Sequence, residues 1–195
     1  MSVSIVIPAA GTSSRMRGTD KLMTLVDGCP LLRLVVERAC TASNDVVVAL
    51  PAGSKRRSII SDLDAKLIDV QGANQGMGTS IKAAVSHISE HATGVMVLPA
   101  DMPDLTANDL SMIIQHFDKK QKITRGCAQD GTEGHPVLFP VSFLNDLLEL
   151  SGDQGARVII QGHPIELVTL GENRALVDLD TPEDWDHWRK RHAGA

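Results

Sequence analysis

Val3-Ser4-Ile5-Val6-Ile7-Pro8-Ala9-Ala10-Gly11-Thr12-Ser13-Ser14-Arg15-Met16 sets an apolar run directly against a loop of small and hydroxyl-bearing residues. A short apolar run that stops at a proline has the pattern of a strand buried on both faces of a sheet. Small residues after such a strand let backbone N–H groups approach an anion closely, and Thr12, Ser13 and Ser14 add hydroxyl donors. Arg15 and Lys21 bring positive charge to the same excursion. Taken alone, the loop is equally well read as a glycine turn with two solvated cations. Gly11 to Gly18 does not fit G-x-G-x-x-G, and G-x-x-x-x-G-K-[ST] is absent, which argues against a dinucleotide oxidoreductase and a P-loop NTPase.

Outward from this stretch the pattern repeats. Residues 30–40 read as a helix, 45–50 as a second strand ended by Pro51, 54–62 as a polar helix and 66–70 as a third strand. A Gly-rich loop over 71–78 precedes a helix over 79–91, and 95–98 is a fourth apolar strand broken by Pro99. Thr106 with Asp109 opens a further helix to about residue 117 as a cap and its reciprocal acid. Strand, loop and helix in this alternation predict one α/β domain over residues 1–195. Its form is a Rossmann-like three-layer sandwich, with a mostly parallel sheet, helices on both faces and ligands beyond the carboxyl ends of the strands. After residue 119 the rhythm changes to a short strand at 136–139, a helix at 141–150, a short helix after 152–157, and strands at 166–169 and 175–179. Thr181-Pro182-Glu183-Asp184 then opens the last helix, with Thr181 at the N-cap and Pro182 at the first helical position.

The bulk composition narrows the function. A length of 195 residues suits a single core. A net charge of −5 gives no global field for nucleic acid, and two Trp, three Phe and no Tyr leave little for base-stacking platforms. No basic segment precedes a long apolar run and no stretch of about 18 apolar residues occurs. A cytoplasmic protein with neither membrane nor nucleic-acid partner is expected. Cys29, Cys40 and Cys127 are far apart, without C-x-x-C or zinc spacing, and read as bystander thiols in a reducing compartment.

Two acidic segments carry chemistry. Leu98-Pro99-Ala100-Asp101-Met102-Pro103 places one carboxylate where a buried strand emerges, a position suited to a metal and equally to a turn. Val177-Asp178-Leu179-Asp180 supplies the partner, since alternation along a strand points Asp178 and Asp180 to the same side. Magnesium takes one or two carboxylates together with phosphate oxygens and water. For Asp180 a capping role ahead of the last helix is the other reading.

Together these segments resemble the molybdenum cofactor cytidylyltransferases, within the Rossmann-like NTP transferases. The similarity is carried by Ala9-Ala10-Gly11-x-Ser13-x-Arg15-Met16 with Lys21, Gly76-Met77-Gly78-x-Ser80, Pro99-Ala100-Asp101-Met102-Pro103, Gly134-His135-Pro136-Val137, Gly152-Asp153-x-Gly155-Ala156-Arg157 and Asp178-Leu179-Asp180-Thr181-Pro182-Glu183-Asp184. The resemblance implies an enzyme that moves CMP from CTP to molybdopterin with Mg2+, releases pyrophosphate and passes its product to a recipient molybdoenzyme. It implies that Ala9, Ala10, Gly11, Thr12, Ser13 and Ser14 wrap the triphosphate and that Arg15 and Lys21 neutralise it. Gly76, Gly78 and Ser80 then lie near the nucleoside, and Gly134, His135, Pro136, Asp153 and Arg157 serve the acceptor. Asp101 holds the metal with Asp178 or Asp180, Asp178 ranking first. The Arg15-to-Lys21 spacing and the Asp20-Lys21 pair are similar to guanylyltransferases of the same pathway, so GTP is an open alternative. Transfer to a sugar phosphate and a noncatalytic cofactor-delivery module are the others. The sister enzymes resemble Ala-Gly-Gly where this chain has Ala9-Ala10-Gly11, so the Ala10 methyl is expected to crowd a purine if it lies against the base.

Overall fold

Strand β1 (Val3–Pro8) sends alternate side chains to opposite faces of the sheet, and both faces are covered. Val3, Ile5 and Ile7 enter one core and Val6 the other. Strand β4 (Val46–Pro51) divides in the same way, with Val46, Val48 and Leu50 on the first side and Val47 and Ala49 on the second. This double burial is what their unbroken apolar runs demand. The computed structural model describes residues 2–71 and 76–192.

Helices α1 (Leu31–Ala42), α3 (Ala107–Lys120) and α6 (Pro182–His192) cover the first face. On the second lie α2 (Met77–Val85), α4 (Leu144–Glu149) and α5 (Arg157–Ile160). Between these layers runs a seven-stranded sheet. A hairpin of β2 (Leu25–Val26) and β3 (Cys29–Pro30) stands apart from it. The main sheet includes β5 (Lys66–Val70), β6 (Gly94–Val97), β7 (Ile123–Cys127), β8 (Glu133–Pro140) and β9 (Ile165–Thr169), in the spatial order β5-β4-β1-β6-β8-β7-β9. β1 pairs in parallel with both β4 and β6, β5 in parallel with β4, and β9 in parallel with β7, while β8 runs antiparallel to both its neighbours. The expected three-layer, mostly parallel α/β domain is therefore the observed one. From β1 the chain moves outward to β4 and β5, then returns to β6 on the other side. The carboxyl ends of β1 and β6 consequently flank the crevice where ligands of such sheets bind.

Several elements differ from the sequence reading. β7 was not anticipated, because Ile123-Thr124-Arg125-Gly126-Cys127 contains no apolar run. It forms because a short connection, closed by Ala128 N–H to Thr132 C=O and Gly131 N–H to Ala128 C=O, makes a hairpin with β8, and a hairpin is necessarily antiparallel. Residues 54–62 lack an apolar stripe, and only a 3-10 turn over Lys55–Ile59 forms there. The helix expected at 79–91 starts two residues earlier, after Gly76 at φ +98°, and stops at Val85. Residues 72–75 of the expected Gly-rich loop lie outside the described residues. No strand forms at 175–179, where the backbone is tied by His135 N–H to Ala175 C=O and Leu179 N–H to Asp101 C=O and not by a ladder. The last two helices of the first face begin as expected. Thr106 and Asp109 form a reciprocal capping box, and Thr181 and Asp184 repeat it.

Gly134 illustrates how closely the C-terminal segment is applied to the sheet. A Cβ at this position would stand 2.1 Å from the Ala175 carbonyl oxygen, and backbone cannot yield as a flexible side chain does. Overpacking of this kind costs typically about 1–3 kcal/mol. Gly134→Ala is expected to lose that much stability in urea denaturation. Gly155→Ala, whose Cβ would meet only Met77 Sδ at 3.6 Å, should stay within about 0.5 kcal/mol of the parent.

Candidate active site

The crevice at the ends of β1 and β6 is a cleft of about 310 Å³. Gly11, Thr12, Ser13, Ser14 and Arg15 form one wall, Gly76, Met77, Ser80 and Asp153 another, and Lys21, Asp101 and Asp180 the floor between them. β1 ends at Pro8, and Ala9 N–H continues the ladder to Ala49 C=O before the chain turns into the loop. Ser13 at φ 53° and Arg17 at φ 51° bracket a single 3-10 turn, which folds the loop back on itself.

Lys21 occupies the floor. Its Nζ lies 2.6 Å from Asp101 Oδ2 and 2.5 Å from Asp180 Oδ1, and little of the side chain is exposed. Burial pulls its pKa down, but the Asp101 and Asp180 carboxylates outweigh this and hold it above the ordinary lysine value. The ammonium is thus charged throughout the neutral range. Arg15 also pairs with Asp180, and Arg17 with Glu183 at 2.7 Å, so the loop is clipped to the segment that enters α6. Asp180 is not the cap of that helix. Thr181 and Asp184 perform the capping between themselves, which leaves the Asp180 carboxylate to the cleft.

Asp178 is exposed beside the cleft and does not line it. Desolvation, followed by the nearby Asp101 and Asp180 carboxylates, raises its pKa. Asp178 lies within electrostatic range of Asp101 and Asp180, but no strand forms here to set an alternation and of the pair only Asp180 lines the cleft. The convergence of the Asp101 and Asp180 oxygens on one point is a hard-oxygen donor set suited to a divalent cation. In this structure that point is held by Lys21 Nζ.

The structure separates the remaining sequence candidates. Ala9 and Ala10 are buried with their side chains in opposite cores. The Ala10 side chain is buried in the same core as Val6 and Ile81 and does not line the cleft, so it does not crowd a ligand bound there. Gly78 is needed for close packing. A Cβ there would stand 2.6 Å from Gln154 C=O, and its N–H bonds Gly152 C=O at 2.9 Å. Gly76 is equally tight against Gly152, so the 76–80 and 152–157 motifs form one wall. Asp153, assigned to the acceptor from sequence, stands in that wall beside Gly76 and Ser80. Gly134 and Pro136 are buried in β8, and Arg157 is exposed at the start of α5, away from the cleft lining. His135 lies within electrostatic range of Asp101. Desolvation and then Arg125 lower its pKa against the pull of Asp101, which keeps the imidazole neutral at pH 7. None of Cys29, Cys40 and Cys127 lines the cleft.

Sequence reasoning missed Arg56 and Asp20. Arg56 is 4% exposed behind the loop, yet it stands in Ser54-Lys55-Arg56-Arg57-Ser58, which reads as a solvated surface run. Only the fold reveals it.

Residues 5–168 match the MobA-like NTP transferase domain. The chain belongs to that family. Molybdenum cofactor guanylyltransferase from Yersinia pestis is 28% identical over 200 residues, covering 99% of this chain and 98% of the relative. Among solved structures, the manganese complex of Rv0371c from Mycobacterium tuberculosis H37Rv superposes with a TM-score of 0.80 at 21% identity, over 96% of this chain and 97% of that one. CMP:2-keto-3-deoxy-manno-octonic acid synthetase complexed with CTP gives 0.76 at 15% identity, over 100% and 99%. Membership makes the chain a nucleotidyltransferase of Rossmann-like fold. Among the described residues no helix is long and apolar enough to cross a membrane.

The ion pairs from Asp180 are what close the loop over the cleft. Arg15–Asp180 lies at the surface, where a pair contributes about 0.2–1 kcal/mol, and Lys21 keeps Asp101 as its partner when Asp180 is neutralised. Asp180→Asn should therefore speed amide exchange in residues 11–18 by about 2- to 10-fold, with β1 amides unchanged. Asp178→Asn should leave the loop at the parent rate, and equal effects from the two substitutions would contradict the clip.

Proposed function

We propose that the cleft transfers CMP from CTP to molybdopterin and releases pyrophosphate. The carrying observation is Lys21 Nζ, seated between Asp101 and Asp180 at the foot of a loop that presents Thr12, Ser13, Ser14 and Arg15 to the same space. Such a floor and wall suit a triphosphate, whose charge needs fixed positive groups and N–H donors.

A terminal phosphate oxygen of the acceptor attacks the α-phosphorus of CTP. A new P–O bond forms, the bond between the α-phosphorus and its bridging oxygen to the β-phosphate breaks, and pyrophosphate leaves with that electron pair. The attacking oxygen is already anionic, so no general base is required, and catalysis rests on alignment and charge neutralisation. The loop holds the β- and γ-phosphates. Lys21 and Arg15 stabilise the charge that develops on the leaving group, Arg15 exchanging its contact with Asp180 for phosphate oxygen. Asp101 and Asp180 have the donor chemistry to hold Mg2+, with Asp178 beside them, and a bound cation would supply neutralisation of phosphate charge. Gly76, Ser80 and Asp153 form the wall assigned to the nucleoside. Neutral His135, between Gly134 and Pro136 in β8, lies within electrostatic range of Asp101 and is assigned to the acceptor, while Arg157 is exposed outside the cleft lining. The Rv0371c complex with manganese and the synthetase complex with CTP support divalent-metal and nucleotide use by proteins of this fold.

The second reading is GMP transfer from GTP. It is favoured by the name of the Yersinia pestis relative and by the position of Ala10, whose buried methyl offers no steric bar to a purine. Against it stands the closing Asp178-Leu179-Asp180-Thr181-Pro182 segment, which is more like the cytidylyl branch. Comparing kcat/KM for CTP and GTP with molybdopterin decides between them. CTP is expected to lead by about 10-fold or more, since hydrogen bonds to a base edge discriminate more strongly than one methylene does. Ala10→Gly should lower stability and leave that ratio unchanged. A preference for GTP would overturn the cytidylyl reading and leave nucleotidyl transfer standing.

Asp101→Ala is expected to lower kcat by about 100- to 1,000-fold, the usual cost of one well-placed charge-stabilising group, with the far-ultraviolet circular dichroism of the parent. Near-parental turnover at saturating magnesium would remove Asp101 from the proposed mechanism.

A further inference from the structure

Behind the cleft loop, on the side away from the cleft, Arg56 makes a set of contacts unusual for an arginine in a polar run. Its Nη1 donates to Ala9 C=O at 2.6 Å and to Gly11 C=O at 2.8 Å. Its Nε and Nη2 grip the Asp20 carboxylate at 2.7 and 2.8 Å, and Nη2 reaches Ser13 Oγ at 3.4 Å. Neither Arg56 nor Asp20 lines the cleft. The planar guanidinium fork is suited to this bidentate grip, which a lysine cannot reproduce.

The consequence follows from peptide geometry. In a planar trans peptide the C=O and the N–H of the next residue point in opposite directions. Drawing Ala9 C=O and Gly11 C=O back onto Arg56 therefore turns Ala10 N–H and Thr12 N–H away from Arg56, and of the two residues Thr12 lines the cleft. Asp20, held by the same guanidinium, accepts from Leu22 N–H at 3.1 Å and caps the 3-10 turn Lys21–Met23 on which Lys21 is mounted. One buried side chain thus sets the direction of the loop amides and the placement of the Lys21 ammonium.

We infer that Arg56, with Asp20 as its counter-ion, is the positioning residue of the triphosphate cradle: it acts through the Ala10 and Thr12 amides and through Lys21, and does not touch the nucleotide. This rests on the reading of the loop as the triphosphate site. It gives Ala10 a role through its backbone, which the burial of its methyl denies to its side chain.

Equilibrium binding of CTP, CMP and inorganic pyrophosphate to the parent, Arg56→Lys and Asp20→Asn proteins tests the inference. Arg56→Lys keeps the charge and much of the volume, and Asp20→Asn keeps the shape, so each gives a separate, conservative reading of the same cluster. The folded fraction of each is measured by circular dichroism. In both variants CTP and pyrophosphate affinities are expected to fall by about 10- to 100-fold, the scale of loss from a misplacement of about 1 Å. CMP affinity should change by less than about threefold, because its one phosphate leaves the β/γ cradle empty. Equal losses for CTP and CMP, or parental pyrophosphate affinity in folded variants, would overturn the positioning role and reduce Arg56 to a packing residue. If the parent protein itself bound CTP no better than CMP, the triphosphate reading of the loop would fail, and the inference with it.

Discussion

An ammonium group held between two carboxylates is the contact on which the site depends. Lys21 arrives from the loop after β1, Asp101 from the end of β6 and Asp180 from the chain entering α6. The strands that lead to Lys21 and Asp101, β1 and β6, are ladder neighbours, and Leu179 N–H bonds Asp101 C=O, so the ion-pair cluster ties side chains together where the backbone already meets. Removing one member of a partly buried pair leaves its partner desolvated without compensation, which costs far more than an exposed pair gives. Arg15 and Arg17 extend the junction to Asp180 and Glu183 at the surface. The loop, the strand end and the last helix are consequently one unit.

The cluster also explains how the site can be stable before substrate arrives. Two carboxylates aimed at one point carry a mutual repulsion. Lys21 neutralises it. A phosphate chain brings its own negative charge, and any accompanying cation competes for the same oxygens. The ammonium then turns from a structural counter-ion into a ligand for phosphate. Arg56 supports the exchange from behind, since it fixes the loop backbone without using any group that faces the cleft.

The sheet was legible because doubly buried strands have no choice of pattern. Val3 to Ile7 and residues 45–50 are such runs, each ended by a proline, while the half-exposed edge strand Lys66 to Val70 lies between polar turns, and the reading and the structure agree in all three to within a residue. Thr106 and Thr181 were legible because caps are local chemistry. β7 was not, because a strand carrying Arg125 and Gly126 is specified by its neighbours: a Cβ at Gly126 would stand 2.4 Å from His135 C=O. In the site, Lys21, Asp101 and Asp180 could be named from sequence, but not their mutual contact, nor that Thr181 and Asp184 relieve Asp180 of capping. Arg56 lay beyond sequence reasoning altogether, since nothing in a run of polar residues marks the one that is buried.

The most direct test of the account is a crystal structure of the protein with a nonhydrolysable CTP analogue and magnesium. The account requires the β- and γ-phosphates to lie on the amides of the loop at Ala10 to Arg15, with Lys21 Nζ on phosphate oxygen and the Asp101 carboxylate on the cation. A triphosphate bound away from this loop, or a Lys21 that keeps both carboxylates while the nucleotide is bound, would contradict it.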